Sequence, residues 1–299
     1  MNHKDAFAHY HPLINMLYFM LVIAFSMIFL HPICLVISFA CAFSYSVYLN
    51  GKKALKFALI FLLPMLFLTA VINPLFSHQG VTILTYLPNG NPLTLESMVY
   101  GLAAALMLIT VVSWFACYNA VMTSDKFVYL FGRIIPALSL TLSMALRFMP
   151  RFREQIKIVA NAQRCLGRNV SKGSLLKRAR YGIKILSIMI TWALENAIET
   201  ADSMKSRGYG LPGRTAFSIF RFDRRDRNAL LFLLCCTGYI VTGAILGGLR
   251  FLYYPMIIGS WTPYSISLFA IYLTLCALPL YLNRRENRKW KTIRAEASS

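Results

Sequence analysis

The sequence predicts an all-α polytopic membrane protein with about six transmembrane helices and two long amphipathic helices on the cytoplasmic side. Three observations lead to this prediction. The 299 residues are 58% hydrophobic, and the mean hydropathy of +0.57 is typical of membrane proteins. Several apolar stretches reach the roughly 20 residues that a helix needs to cross a bilayer. The net charge of +20 lies mostly outside these stretches.

Six stretches are long and apolar enough to be spans. The second follows the first after the dipeptide His31-Pro32, which predicts a tight helical hairpin. The first lacks the small-residue cleavage site of a secretory signal peptide, so we expect it to be retained. The predicted spans are residues 13–30, 32–49, 55–75, 96–120, 229–250 and 262–283.

Positive charge indicates which side of the membrane each loop occupies. Residues 147–228 hold 18 Lys and Arg against six acids, whereas the loops 76–95 and 251–261 contain no Lys, Arg, Asp or Glu. Because basic loops stay in the cytoplasm, both termini are predicted to lie inside. Topology and contact with the anionic lipid bilayer account for most of the charge, so we predict no nucleic-acid partner.

The charge pattern divides the chain into four segments. Residues 127–148 are apolar but have charges on both sides, and we interpret them as a membrane-associated lead-in to the cytoplasmic region. A seventh span there would place the arginines outside, which the charge rule disfavours. The predicted segments are an N-terminal membrane part with four spans (1–126), the cytoplasmic region (127–228), two C-terminal spans (229–283) and a basic tail (284–299).

The sequence contains little that indicates chemistry of its own. Ionisable residues are nearly absent from the spans, which disfavours an ion-coupled transporter. No Walker A sequence is present, so ATP hydrolysis would need another chain. The seven cysteines show no metal-binding spacing, and we expect no disulfide. We therefore predict no enzyme activity, no catalytic residue, no cofactor and no metal site.

Two amphipathic helices are predicted in the cytoplasmic region. The first takes Pro150 as its first position and covers 151–166, with Gln163 on its apolar side, Arg164 on its basic side and Gly167 as its stop.

The second predicted helix, 187–207, carries a stripe of small residues and an acidic stripe that includes Glu199. Small residues let helices approach closely, and opposite charges favour a crossing in which Glu199 meets Lys157 or Arg164. The predicted packing residues are Gln163, Ala193, Ala197 and Ala201.

The ends of these helices are candidate docking sites. Amphipathic helices can lie at a membrane surface, but the acidic stripe of the second helix disfavours contact with anionic lipid. Both helices end in turns that contain arginine and glycine. A guanidinium presents a fork of donors that suits a carboxylate-bearing groove on a protein partner.

Three segments resemble a known family: Ala145-Leu146-Arg147-Phe148-Met149-Pro150, Ala162-Gln163 with the Gly167 turn, and Met204-Lys205-Ser206-Arg207-Gly208-Tyr209-Gly210. The chain is similar over roughly its whole length to the transmembrane T component of energy-coupling factor (ECF) transporters, the EcfT/CbiQ family. The resemblance implies a non-catalytic scaffold in a prokaryotic plasma membrane, whose two coupling helices each end in an X-Arg-X motif that docks into a groove on one of two ABC-type ATPases. It also implies a small membrane-embedded S component that binds the substrate, a vitamin or a transition metal.

The two helix ends match this family unequally. The family's first motif has Arg directly before Gly, where this chain has Leu166, so Arg164 is the first candidate for the docking arginine and Arg168 the second. The second motif matches at Arg207, with Ser206 in place of the common alanine. The predicted ATPase-docking residues are Arg164, Gly167, Arg168, Ser206, Arg207 and Gly208.

A substrate-translocating permease of another ABC-type importer is the alternative. It would need a polar cavity between the spans, and the candidate residues are few: Ser38, Ser44, Thr110, Ser113 and Asn119. An integral membrane enzyme is a third possibility, but the residues that could be catalytic are too scattered in the sequence to form one site.

Overall fold

The computed structural model describes residues 5–77, 79–86, 92–132, 136–168, 174–211, 220–259 and 262–297. The chain forms two compact units. The membrane unit consists of Met1–Thr123 with Phe220–Ser299, and the inserted unit consists of Ser124–Ile219. Helices are numbered in chain order across both units.

Apolar helices make up most of the membrane unit. They are α1 (Pro12–Ile28), α2 (Pro32–Asn50), α3 (Lys52–Phe57) joined to α4 (Leu63–Phe76) by the π-helical turn Ala58–Leu62, α5 (Leu95–Val121), α9 (Arg224–Ile245) and α10 (Pro263–Ala297). Within the described residues, five helical stretches have the length and composition to cross a membrane, and α1 is a shorter apolar helix of 17 residues. The all-α polytopic fold is confirmed, and these six stretches correspond to the six predicted spans.

The helices α1 and α2 begin in the same way. Each has a histidine at its N-cap and a proline at its first position, His11-Pro12 and His31-Pro32. In both, the histidine Nδ1 accepts the N–H of the residue two positions on, at 3.3 Å. Proline suits this position because its fixed φ is helical and its missing N–H would have no partner there. A repeated dipeptide therefore starts both arms of the predicted hairpin.

The turn between α1 and α2 is expected to be sensitive to acid through His31. Its ring is 4% exposed, lies 4.8 Å from that of Phe269 between centroids, and has its pKa lowered by burial. As the pH falls through the ordinary value of about 6.5, protons bind the unfolded state first, so stability falls. We expect the melting temperature in detergent to fall between about pH 7.5 and about pH 5.5, which bracket that value.

The variant His31→Asn is the matched control for this prediction. Asparagine keeps an N-cap acceptor but cannot be protonated in this range. The fall in melting temperature should be smaller in this variant than in the wild type. An equal fall in both proteins would show that the acid sensitivity has another source.

A chain of hydrogen bonds joins four helices inside the membrane unit. Trp114 of α5 donates from Nε1 to Ser38 Oγ of α2 at 2.9 Å. Ser38 Oγ lies 2.7 Å from Ser26 Oγ of α1, and Tyr272 OH of α10 lies 3.4 Å from the same Ser26 oxygen. All four side chains are buried. Because unpaired polar groups are costly in an apolar interior, this network favours one arrangement of the four helices.

The residues before α1 are held by other helices of the membrane unit. Tyr45 OH of α2 donates to Asp5 Oδ2 at 2.6 Å, and the amide of Asn283 in α10 donates to Asp5 Oδ1. The Arg225 guanidinium of α9 lies 4.2 Å from the ring centroid of Tyr10, a favourable cation–π distance. The predicted tail continues α10 as helix through Ala297.

Two short antiparallel hairpins connect spans in the membrane unit. They are β1 (Ile83–Tyr86) with β2 (Pro92–Thr94), and β3 (Phe251–Leu252) with β4 (Ile258–Gly259). The first packs on the start of α5, where the buried Glu96 accepts from Thr82 Oγ1 at 2.7 Å. Gly80 has a φ of +143°, and a Cβ there would lie 2.6 Å from a Glu96 oxygen. The close approach therefore requires glycine.

The inserted unit contains α6 (Ser124–Gly132), α7 (Pro136–Cys165) and α8 (Leu175–Ser206). The predicted start at Pro150 was wrong, because α7 begins at Pro136 and continues through Pro150. Met144, Phe148 and Phe152 recur every four residues and are half-buried, so one packing stripe extends across the proline. This packing offsets the roughly 3 kcal/mol that an interior proline costs. The region predicted as a lead-in is divided between α6 and the first part of α7.

Candidate docking site at two helix ends

The helices α7 and α8 contact each other through an aromatic pair where they cross. The rings of Phe152 and Trp192 meet edge to face, with centroids 5.3 Å apart and planes at 81°. Val159 and Gln163 of α7 and Met189 of α8 are also buried. Such an edge-to-face pair contributes about 0.5–1.5 kcal/mol beyond the area it buries.

A groove of about 1030 Å³ lies between the first half of α7 and the second half of α8. Its polar lining includes Arg147 and Arg151 from α7 and Glu199 and Arg207 from α8. We call it the arginine groove. The sequence prediction placed Glu199 near Lys157 or Arg164, but the structure groups it with Arg147 and Arg151. The difference follows from α7 beginning before Pro150, which adds the half of the helix that faces the end of α8.

Helix α7 ends in a Schellman turn. The N–H of Arg168 donates to Gln163 O at 2.9 Å, and the N–H of Gly167 donates to Arg164 O at 3.0 Å. Gly167 has a φ of +76°, which glycine adopts without strain. Arg168 also donates from its guanidinium to the buried Gln163 Oε1, at 3.4 Å. Leu166 stands at the apex of this turn with 67% of its side chain exposed.

Helix α8 ends in the same turn. The N–H of Tyr209 donates to Met204 O at 3.0 Å, and the N–H of Gly208 donates to Lys205 O at 2.9 Å. Gly208 has a φ of +78°. Arg207 stands at the apex and is exposed, as is Ser206, whose hydroxyl donates to Asp202 O at 2.9 Å.

The two turns can be aligned position by position. Gly167 corresponds to Gly208, and the apex residue before it is Leu166 in α7 and Arg207 in α8. Cys165 corresponds to Ser206 one position before the apex, and Arg164 to Lys205 two positions before it. Arg168 corresponds to Tyr209 one position after the glycine. Neither Arg164 nor Arg168 therefore occupies the place of Arg207.

The predicted packing residues do not all lie between the two helices. Gln163 is buried and Ala193 is half-buried, whereas Ala197 and Ala201 are exposed. The small-residue stripe therefore borders the outward face of α8 and lies beside its exposed apolar residues. These include Ile183, Leu186, Ile190, Leu194 and Ile198, each more than half exposed.

Sequence analysis missed two features of this site. Arg147 was part of a segment that carries the resemblance and Arg151 follows that segment directly, yet neither was assigned a role. Their spacing of four residues puts both on one face of a helix, and this signal would have paired them once Pro150 was accepted inside α7. The aromatic pair Phe152 and Trp192 joins two different helices, and no spacing in the sequence predicts such a contact.

Comparison with known proteins finds the same family that the sequence resembles. The family model CbiQ, described as cobalt transport protein, matches residues 7–217. The chain is 32% identical over 108 residues to the energy-coupling factor transporter transmembrane protein EcfT of Lactobacillus helveticus, covering 36% of this chain and 39% of that protein. It is 35% identical over 112 residues to EcfT of Bacillus selenitireducens, covering 37% and 42%.

A longer match, 24% identical over 208 residues, covers 65% of this chain and 74% of EcfT 1 of Listeria monocytogenes. The chain spans about two fifths of the length of the first two relatives. The family model, in contrast, covers more than two thirds of the chain and includes both helix ends. The chain therefore belongs to the EcfT/CbiQ family, the transmembrane T components of energy-coupling factor transporters.

Proposed function

We propose that this protein is the non-catalytic coupling subunit of an ECF-type ABC importer for a vitamin or a transition metal. It would lie in the plasma membrane of a prokaryote with both termini in the cytoplasm. The observation that carries the proposal is the pair of matching turns, each of which exposes one apex side chain at the end of a long helix. Two helix ends with the same backbone turn suit a partner that itself has two related halves.

Each turn would dock into a groove on one of two ABC-type ATPase subunits. At the end of α8, Arg207 supplies the guanidinium, Gly208 permits the turn, and Ser206 lies beside them. At the end of α7, Gly167 permits the turn, and Arg164 and Arg168 supply positive charge around Leu166. A guanidinium can form two parallel hydrogen bonds to one carboxylate, so a groove with an acidic residue is the expected partner for Arg207.

The outward face of α8 would contact the small S component, with lipid around it. An apolar stripe that is exposed among the described residues of the inserted unit is unfavourable in water and favourable against an apolar partner. Ala197 and Ala201 beside this stripe would let a partner helix approach and slide. In this mechanism ATP binding closes the ATPase pair, the two helix ends move, and α7 and α8 shift by shear. The shift would reorient the S component.

The proteins that purify with this chain test the proposal. The chain should carry an affinity tag, be expressed in its own host and be extracted in mild detergent. We expect two Walker A-bearing chains and one small hydrophobic protein. Two ATPases with transport activity and no small protein would favour the alternative, a substrate-translocating permease. Recovery of no ATPase would contradict both.

Buried polar groups weigh against the permease. Thr110 and Ser113, two of its few candidate polar residues, donate to the carbonyls of Leu106 and Ile109 in their own helix at 2.7 Å each. Ser38 is held by Trp114 and Ser26. A substrate pathway would instead need polar groups that are free to bind the substrate.

A further inference from the structure

We infer that the first part of α8, residues 175–186, binds an anionic lipid bilayer, with its apolar side toward the acyl chains and its arginines at the headgroups. The inference goes beyond the proposed docking of ATPases, because it depends only on the chain being a membrane protein. We call residues 175–186 the basic half of α8 and residues 195–206 its acidic half. The predicted helix 187–207 did not include the basic half, whereas α8 begins at Leu175.

The basic half has an apolar side that is exposed along its length. With about 100° between successive residues, its aliphatic side chains fall within one arc of about 100°. Leu175 and Leu176 are 79% and 83% exposed, and Ile183 and Leu186 are 66% and 59% exposed. The ring of Trp192, which contacts α7, lies outside this arc. The apolar side of the basic half is therefore available to a partner.

Positive charge lies beside this apolar side. The basic half contains Lys177, Arg178, Arg180 and Lys184 and no Asp or Glu, and all four cationic residues are exposed. In helical projection Arg178 and Arg180 border the apolar arc on its two sides, where long side chains can reach headgroup phosphates. Lys184 lies on the opposite side, toward water. This arrangement is typical of a helix that lies in the plane of an anionic membrane surface.

The acidic half of the same helix favours lipid as the partner of the basic half. The exposed apolar side continues through Ile198, but the polar side now carries Glu195, Glu199 and Asp202. Anionic headgroups attract Lys and Arg and repel carboxylates. An apolar protein partner along the whole helix would give no reason for the polar side to change sign, whereas a bilayer that contacts only the first half does. The small residues proposed to face the S component lie in the acidic half.

Photocrosslinking in vesicles of defined lipid tests the inference. The photoreactive residue p-benzoylphenylalanine replaces Ile183 in the basic half or Ile198 in the acidic half, which are 66% and 65% exposed and so form a matched pair. The purified full chain is reconstituted in phosphatidylcholine alone or with about one third of the anionic lipid phosphatidylglycerol. Mass spectrometry measures the fraction of protein that carries one phospholipid.

With phosphatidylglycerol we expect the lipid adduct from position 183 to exceed that from position 198 at least about fivefold, which is the effect of about one cation at an anionic surface. In phosphatidylcholine alone the excess should be smaller. Equal yields from the two positions, or a yield from position 183 that does not depend on phosphatidylglycerol, would overturn the inference. So would a protein adduct in place of a lipid adduct after irradiation of position 183 in native membranes. None of these outcomes bears on the recovery of ATPases, which tests the proposed function.

Substitution of an arginine beside the apolar side gives a second, independent result. In Arg180→Glu we expect the adduct from position 183 in phosphatidylglycerol vesicles to fall at least about fivefold, while Arg180→Lys keeps the charge and should stay within about twofold. In phosphatidylcholine alone both variants should match the unsubstituted protein. Because Arg180 is exposed, neither change should prevent folding, which the elution profile of the purified protein checks. An unchanged yield in Arg180→Glu would show that headgroup charge does not hold the basic half at the membrane.

Discussion

The variant Arg207→Glu is expected to lose most of its bound ATPase and its transport activity. The change removes a guanidinium and places a carboxylate where the partner groove is proposed to have one. Disruption of a buried, hydrogen-bonded charge pair costs about 2–5 kcal/mol, which corresponds to a loss of affinity of roughly 30-fold or more. The measurements are recovery of Walker A-bearing chains with the tagged protein, and uptake of vitamins and Co²⁺ by cells that produce the variant.

Three further variants separate docking from other effects of charge. Arg207→Gln removes the charge without introducing repulsion and should have a weaker effect than glutamate. Arg207→Lys keeps the charge but loses the planar fork, so recovery should be intermediate. Lys184→Glu makes the same reversal at an exposed position of α8 far from its end, and it should retain ATPase. Normal recovery and uptake in Arg207→Glu would remove Arg207 from the docking site.

A glutamate at the end of α8 also opposes the helix dipole, at a cost of about 0.3–1 kcal/mol. This local cost is too small to unfold the unit, so lost recovery with an unchanged melting temperature indicates docking. The structural basis of the prediction is that Arg207 is exposed in the inserted unit and stabilises little there. Its side chain is available to a partner.

The spans could be predicted from sequence because a helix that crosses the hydrocarbon core must be predominantly apolar over its whole length. Helix boundaries inside the inserted unit could not be predicted as well. Proline has a strong local preference for a first turn, and the stripe that carries α7 through Pro150 depends on contacts with α8. The preference of Pro150 for the first turn of a helix was outweighed by the packing of α7 along its whole length.

The inserted unit shows the same difference between local features, which the sequence predicts, and contacts between helices, which it does not. Gly167 and Gly208 predicted where the helices end, because few other residues adopt a positive φ. The stripe of small residues predicted close packing but could not identify its partner. Ala197 and Ala201 turned out to lie on the exposed side of α8, since the residues that contact α7 are set by the crossing of Phe152 and Trp192.

The variant Trp114→Ala is expected to destabilise the membrane unit by about 3–5 kcal/mol, the usual cost of removing a buried aromatic side chain. Trp114 is completely buried, and its ring meets those of Tyr18 and Phe19 edge to face at 6.0 and 6.3 Å. Its Nε1 also donates to Ser38. Trp114→Phe fills most of the cavity but removes this donor, and it should cost only about 1–3 kcal/mol.

The neighbouring Phe115 provides the control, because its side chain is 49% exposed on the surface of a predicted span. Lipid is as apolar as the side chain, so burial itself gains little in a membrane and packing carries the stability. Phe115→Ala should therefore cost less than about 1 kcal/mol, within the usual range for exposed sites. Thermal unfolding in the same detergent compares the three variants. Equal losses for Trp114→Ala and Phe115→Ala would mean that the packed centre around Trp114 does not hold the helices together.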